Sequence, residues 1–289
     1  MSEEPAPGTA SNYHGRETRK LENGHCWVEV LALGGPRIVG FGLAGEGNVL
    51  AETPESAWDA GYGIFELLGG HRLWFAPESA ECSFPDASGA TLTSLPEVED
   101  SLVGVRMVGA FEPPTGLRRE MKVRLGIGSP TVSVRHIIRN EGKRTFEVSL
   151  WPITQLKLGG VATVELPGPN AAHSMNPSQM VALWPYASWT DERLTLGDRS
   201  VTVAGRPGKP FKIGLGNGAG AASYVRDGLE FTKRFAAAAG SPHADMGCNV
   251  EIYCDEGTIE LESLGPLVRL GPGESATHDE HWELSRVGE

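Results

Sequence analysis

Two stretches far apart in the chain hold the side chains best suited to chemistry. In Gly69-Gly70-His71-Arg72-Leu73-Trp74-Phe75-Ala76-Pro77-Glu78 the paired glycines allow a backbone to approach a ligand closely. His71, Arg72, Trp74 and Glu78 then supply a titratable group, a forked donor, an apolar platform and an acceptor. A pyranose ring needs that mixture, because its C–H face stacks on an indole while its rim of hydroxyls hydrogen-bonds to charged groups. The same residues also fit a plain Gly-Gly turn in which Arg72 pairs with Glu78 and Trp74 fills the core. The second stretch is Glu260-Leu261-Glu262-Ser263-Leu264-Gly265-Pro266-Leu267. As a strand it points Glu260 and Glu262 to one side and Ile259 and Leu261 to the other. Such an acidic face either meets bulk solvent or walls a groove in which a carboxylate accepts a hydroxyl proton.

Taken together, the two stretches resemble the galactose mutarotase-like superfamily, on a branch related to the aldose 1-epimerases. That resemblance implies an all-β chain, a galactose mutarotase-like antiparallel β-supersandwich, with a groove for a small-molecule carbohydrate. It assigns Glu262 as the general base of a Leu-Glu strand and places Arg72, Trp74 and Glu78 along the groove. The segments Lys212-Ile213-Gly214, Lys233-Arg234-Phe235 and His243-Ala244-Asp245-Met246-Gly247-Cys248-Asn249 resemble the same branch. They imply Asp245 as a binder of sugar hydroxyls. Lys212 and Lys233 are then either contacts to an anionic group on the sugar or surface lysines on strands. No cofactor and no metal is implied.

One departure bears on the reaction. Aldose 1-epimerases place a general-acid histidine after the central strand, but Phe146-Glu147-Val148-Ser149-Leu150-Trp151-Pro152-Ile153-Thr154-Gln155 contains none. Opening a hemiacetal needs a base at the anomeric hydroxyl and an acid at the ring oxygen, so the acid must come from elsewhere, with His71, His243 or a lysine as candidates. The expectation is acid/base isomerisation of a sugar or sugar acid by Glu262 and His71. The alternatives are a non-catalytic sugar-binding or sensing protein, and a lyase or hydrolase on a related substrate. His136 shares a strand face with Val132, Val134 and Ile138 and reads as a core histidine. His278, Glu280 and Trp282 share a face of the last strand, closing the fold or walling the groove. The aromatic loop with Trp184, Trp189 and Asp191 either stacks on a sugar or caps the sandwich.

The elements that must position these groups read as strands. Period-two or continuous apolar runs occupy 25–33, 37–43, 104–111, 119–125, 131–140, 145–151, 180–184, 200–203, 212–215, 230–235, 249–254 and 258–264, separated by Gly/Pro/Asn turns. Helix signals are confined to 54–60 and 223–228. With 38 Gly and 20 Pro in 289 residues and no low-complexity run, one all-β domain over 12–289 behind a flexible tail of 1–11 is expected.

The net charge of -12 excludes nucleic acid and anionic membrane as natural partners. No run of apolar residues is long enough for a membrane helix. The N-terminus lacks the basic start and apolar stretch of a secretory signal, and Cys26, Cys82, Cys248 and Cys254 show no Cys-x-x-Cys spacing. Free thiols, a cytoplasmic location and a monomer or homodimer are therefore expected. Cys248, Cys254 and His243 fit no standard zinc pattern.

Overall fold

The computed structural model describes residues 8–84, 90–96, 101–166, 179–216, 219–238 and 240–288. Two large antiparallel sheets face each other, as the alternation in the sequence requires when one face of each strand is apolar. The first sheet runs β1 (Thr9–Tyr13), β2 (Arg16–Glu22), β3 (Cys26–Leu31), β4 (Arg37–Leu43), β7 (His71–Ala76) and β12 (Phe146–Lys157). It continues through β21 (Thr258–Ser263), β20 (Val250–Cys254), β17 (Phe211–Gly216) and β14 (Met180–Leu183), while β22 (Val268–Leu270) pairs with one end of β12.

The second sheet runs β15 (Leu194–Leu196), β16 (Ser200–Ala204), β13 (Val161–Glu165), β18 (Ala221–Arg226) and β19 (Leu229–Phe235). Its other half is β23 (Ser275–Arg286), β11 (Thr131–Asn140), β10 (Leu117–Gly126), β9 (Ser101–Glu112) and β8 (Thr91–Leu95). A separate hairpin pairs β5 (Glu52–Asp59) with β6 (Ile64–Gly69).

The core lies between the sheets. Ile38, Phe41, Ile252, Ile259 and Leu261 of the first sheet meet Met107, Val134, Phe231, Trp282 and Leu284 of the second in one buried cluster. Phe41 stacks edge-on against Phe231 at 6.1 Å and lies 5.8 Å from Trp282, tying the layers together. Among the described residues, no helix is long and apolar enough to cross a membrane.

The expected strands are present, several of them one to five residues longer than their apolar runs, because ladder pairing continues past the last core side chain. Three expectations change. Residues 54–60 form most of β5, and 223–228 belong to β18 and its turn, since hairpin pairing overrides the local helix signal. Thr9–Ser11, placed in a flexible tail, pair in register with Thr18–Lys20. The four cysteines are buried and unpaired.

Candidate functional site

Strand register gathers the site on the outer face of the first sheet. Lys212 of β17 stands opposite Tyr253 of β20, Tyr253 opposite Glu260 of β21, and Glu260 opposite Gln155 of β12. In the next row Glu251 faces Glu262, Glu262 faces Ile153 and Ile153 faces Arg72 of β7, with Trp151 opposite Trp74 beyond. Side chains on one face of adjacent antiparallel strands touch, so two polar rows end against an indole pair. A cavity of about 720 Å³ opens over them, lined by Arg72, Trp74, Trp151, Gln155, Lys212, Tyr253 and Glu260, with Glu78, Tyr186 and Trp58 also on its wall.

Arg72 and Lys212 are both held by neighbours. The Arg72 guanidinium stacks 4.5 Å from Trp74 and its Nη2 donates to Glu260 Oε1 at 3.3 Å. Among the described residues, its Nε and Nη1, the Trp74 Nε1 and the Gln155 Oε1 are buried without a hydrogen-bond partner. The Lys212 ammonium sits 2.7 Å from Glu251 and 2.9 Å from Glu262, under the rings of Trp151 and Trp184. Burial works against its charge, but the two carboxylates outweigh that and hold Lys212 protonated far above neutral pH. Burial drives Glu251 well above the ordinary carboxylate range and raises Asp245 beside it, against the pull of Lys212. Burial also raises Glu260 to about 7, with Arg72 opposing and Glu262 adding to the shift.

Glu262 shares the groove-facing side of β21, as its alternation with Leu261 predicts, but it does not front the cavity. Its carboxylate is fully buried, and Oε2 accepts from Trp151 Nε1 at 2.6 Å and from Lys212 at 2.9 Å. Both donors line the cavity, so Glu262 lies behind them. Asp245 sits in a short 3-10 turn at Asp245–Gly247, close to Glu251 and Lys212 and away from the cavity wall. Glu78 is exposed on the rim, and Arg72 pairs with Glu260 rather than with it. Trp184 covers Lys212, whereas Trp189 is exposed and Asp191 pairs with Arg193.

Two expected site residues are on the wrong side of the sheet. His71 precedes Arg72 and therefore points inward, where its ring meets Trp282 edge-on at 4.6 Å and its Nδ1 contacts Thr154 Oγ1 at 2.9 Å. Lys233 comes from the second sheet and is fully buried, donating to Glu280 Oε1 at 2.8 Å and to the Leu261 carbonyl at 3.0 Å. Neither reaches the groove. They belong to an interior network with His136, His278, Ser263 and Glu280. Desolvation pushes His71 well below the ordinary histidine range and His278 to about 4. His136 is the core histidine its strand pattern implies.

The ring nitrogens of His71 and His136 lie 3.2 Å apart, each 3.7 Å from Glu280 Oε2, which is a spacing three ligands of one ion can adopt. The Glu280 carboxylate is, however, already taken up by Lys233, Ser263 and Trp282. Cys248, Cys254 and His243 do not converge among the described residues.

The reading of the sequence missed Gln155, Glu251 and Tyr253. Glu251 and Tyr253 alternate with the core residues Val250 and Ile252, a signal of the same kind as the one that singled out Glu260 and Glu262. Gln155 lies in a strand whose observed end is six residues past the expected one.

No protein-family model matches the chain, and no curated protein matches its sequence. Solved structures match in fold. A candidate aldose 1-epimerase from Escherichia coli is 13% identical, with a TM-score of 0.57 over 93% of this chain and 99% of its own. A candidate mutarotase from Salmonella typhimurium is 9% identical, with a TM-score of 0.61 over 97% of each chain. A galactose mutarotase-like protein from Lactobacillus casei is 10% identical, with a TM-score of 0.51 over 93% of this chain and all (100%) of its own. The chain has the galactose mutarotase-like fold, and at these identities the likeness carries the fold alone.

Proposed function

We propose that the groove binds a neutral monosaccharide and isomerises it at the anomeric carbon by proton transfer, without a cofactor. The observation that carries this reading is the cavity itself. Indoles of Trp58, Trp74 and Trp151 line it together with Arg72, Gln155, Tyr253 and Glu260. An aromatic wall next to polar side chains suits a ring with an apolar face and a hydroxyl rim. The fold, shared with proteins described as aldose epimerases and mutarotases, points to the same substrate class.

Charge argues for a neutral ligand over a sugar acid or sugar phosphate. Of the two lysines expected to attract an anion, Lys233 is inside the sandwich and Lys212 is clamped between Glu251 and Glu262. A second reading, a non-catalytic sugar-binding protein, is favoured by one observation: among the described residues, no histidine lines the cavity.

Calorimetry against neutral aldoses and their acid and phosphate forms, followed by polarimetry of freshly dissolved anomers of whatever binds, tests the proposal. The expected result is tighter binding of neutral sugars, little change in affinity between low and high salt, and accelerated anomer exchange. An Arg72→Ala change is expected to weaken binding at least tenfold, on the order of the loss of one or two charge-assisted hydrogen bonds. Binding without acceleration supports the binder. Failure of the folded protein to bind any sugar overturns both readings.

A further inference from the structure

Anomer exchange needs a proton donor and a proton acceptor at one carbon, and the cavity must supply both. Among the described residues, no histidine lines it. His71, His136 and His278 point into the sandwich, and His243 contacts the Ser241 carbonyl away from the cavity wall. Lys212 cannot release its proton while Glu251 and Glu262 hold it. Tyr186 is pushed up to about 12 by burial and Tyr253 is raised as well. Asp255 spends one oxygen on the Gly257 and Thr258 amides of a turn and the other on the Tyr253 hydroxyl, and Glu78 is on the rim. Of the three buried carboxylates in the two rows, Glu251 and Glu262 have no exposed surface, whereas Glu260 retains 8% and forms part of the cavity wall.

Resting on the reading of the groove as an isomerase site, we propose that Glu260, as a neutral carboxyl group, is both donor and acceptor in the reaction. A carboxyl group carries an O–H and a carbonyl oxygen on one carbon, and a cyclic hemiacetal carries its ring oxygen and its hydroxyl on one carbon, so the two fit edge to edge. In ring opening the Glu260 O–H gives its proton to the ring oxygen as the C1–O5 bond breaks. The other Glu260 oxygen takes the proton of the anomeric hydroxyl as C1=O1 forms. Glu260 is again a neutral acid with its proton on the opposite oxygen. Rotation about C1–C2 and the reverse transfer close the ring as the other anomer. Nothing is oxidised or reduced and no proton leaves the site.

The surroundings suit such a group. Arg72 of β7 holds Oε1 in place. The charged and titratable neighbours are Arg72, Lys212 of β17, Glu251 and Tyr253 of β20 and Glu262 on the same strand, with Asp255, Lys209 and Glu78 around the cavity and uncharged Gln155 opposite on β12. Their sum with burial keeps Glu260 protonated up to near neutrality. No separate general acid is then required, and Trp151 can occupy the place where a histidine was expected.

The test is the pH profile of anomer exchange on α-D-glucose and α-D-galactose, in wild type and in Glu260→Gln, after subtraction of the spontaneous rate. Wild-type kcat is expected to be level at acid pH and to fall about tenfold per pH unit above the Glu260 midpoint. Glu260→Gln keeps the shape and one donor but cannot exchange roles, so kcat is expected to drop at least about 100-fold with the dissociation constant changed less than about threefold. A wild-type rate that rises with pH through neutrality, or a Glu260→Gln enzyme that keeps its rate, overturns the assignment while leaving the isomerase reading standing. A wild type that binds these sugars without accelerating exchange overturns both. The wild-type profile needs no variant, so the outcome does not depend on how Glu260→Gln folds.

Discussion

Glu260 illustrates how little separates a carboxyl on a cavity wall from a sealed one. Glu260 and Glu262 sit two residues apart on one strand face, yet one opens to the cavity and the other is sealed behind Trp151 and Lys212. The folded protein holds the Glu260 proton to about 7, against the ordinary glutamate value of 4.5. Because the folded pKa is raised, the stabilising contribution is present below the unfolded value and is lost as pH rises through the folded value. Glutamine does not titrate. Between pH 4.5 and pH 7 the stability of Glu260→Gln relative to wild type is therefore expected to shift in favour of the variant by about 2–3 kcal/mol, then level off. Urea unfolding of both proteins at pH 5, 6, 7 and 8 measures this, and parallel profiles would contradict it.

The Gly69-Gly70 pair shows how an element dictates its residues. Read from the sequence, these glycines serve a ligand's approach. In the fold they serve the chain's own packing, where β6 turns into β7 beside β4. Gly69 and Gly70 have φ of +82° and +70°, and a Cβ on either would lie 2.1 Å from the carbonyl oxygen of Ala51 or Ile38. Gly70 also donates to Ala51 and accepts from Gln155. The left-handed conformation and the backbone clash act together, so Gly70→Ala is expected to cost about 3 kcal/mol or more. Thermal unfolding checks it. A melting temperature within about 2 °C of wild type would show that the turn relaxes freely.

Across the whole molecule, polar groups fill both sides of the first sheet's centre. Outward they form the groove, and inward Lys233, Glu280, Ser263 and three histidines form a network between the layers. The Lys233–Glu280 pair is fully buried on both sides. Removing one partner strands the other's charge, which costs about 3–5 kcal/mol, whereas removing both is far milder. Lys233→Met is expected to destabilise by that amount, and Lys233→Met with Glu280→Gln to recover more than half of it. Denaturant unfolding of the two variants decides this. A double variant as unstable as the single one would show that the network, and not the ion pair, carries the cost.

The strand pattern and the shared face of Glu260 and Glu262 were legible in the amino-acid sequence, because the two-residue period of a strand and the turn chemistry of Gly, Pro and Asn are local. That period separates the two sides of a strand without saying which side is the groove. His71 and Arg72 are neighbours with equal claims to chemistry, and the second sheet packing over His71 decided between them. Lys233 drew interest as a charge near the site, yet it enters from the opposite layer. Glu262 carries the expected motif, but whether it touches a ligand depends on Trp151 and Lys212, which reach it only through the pairing of β12, β21, β20 and β17. The types of residue and their alternation are properties of a single strand, while burial, access and pKa arise from neighbours as far as 188 residues apart, as Arg72 and Glu260 are.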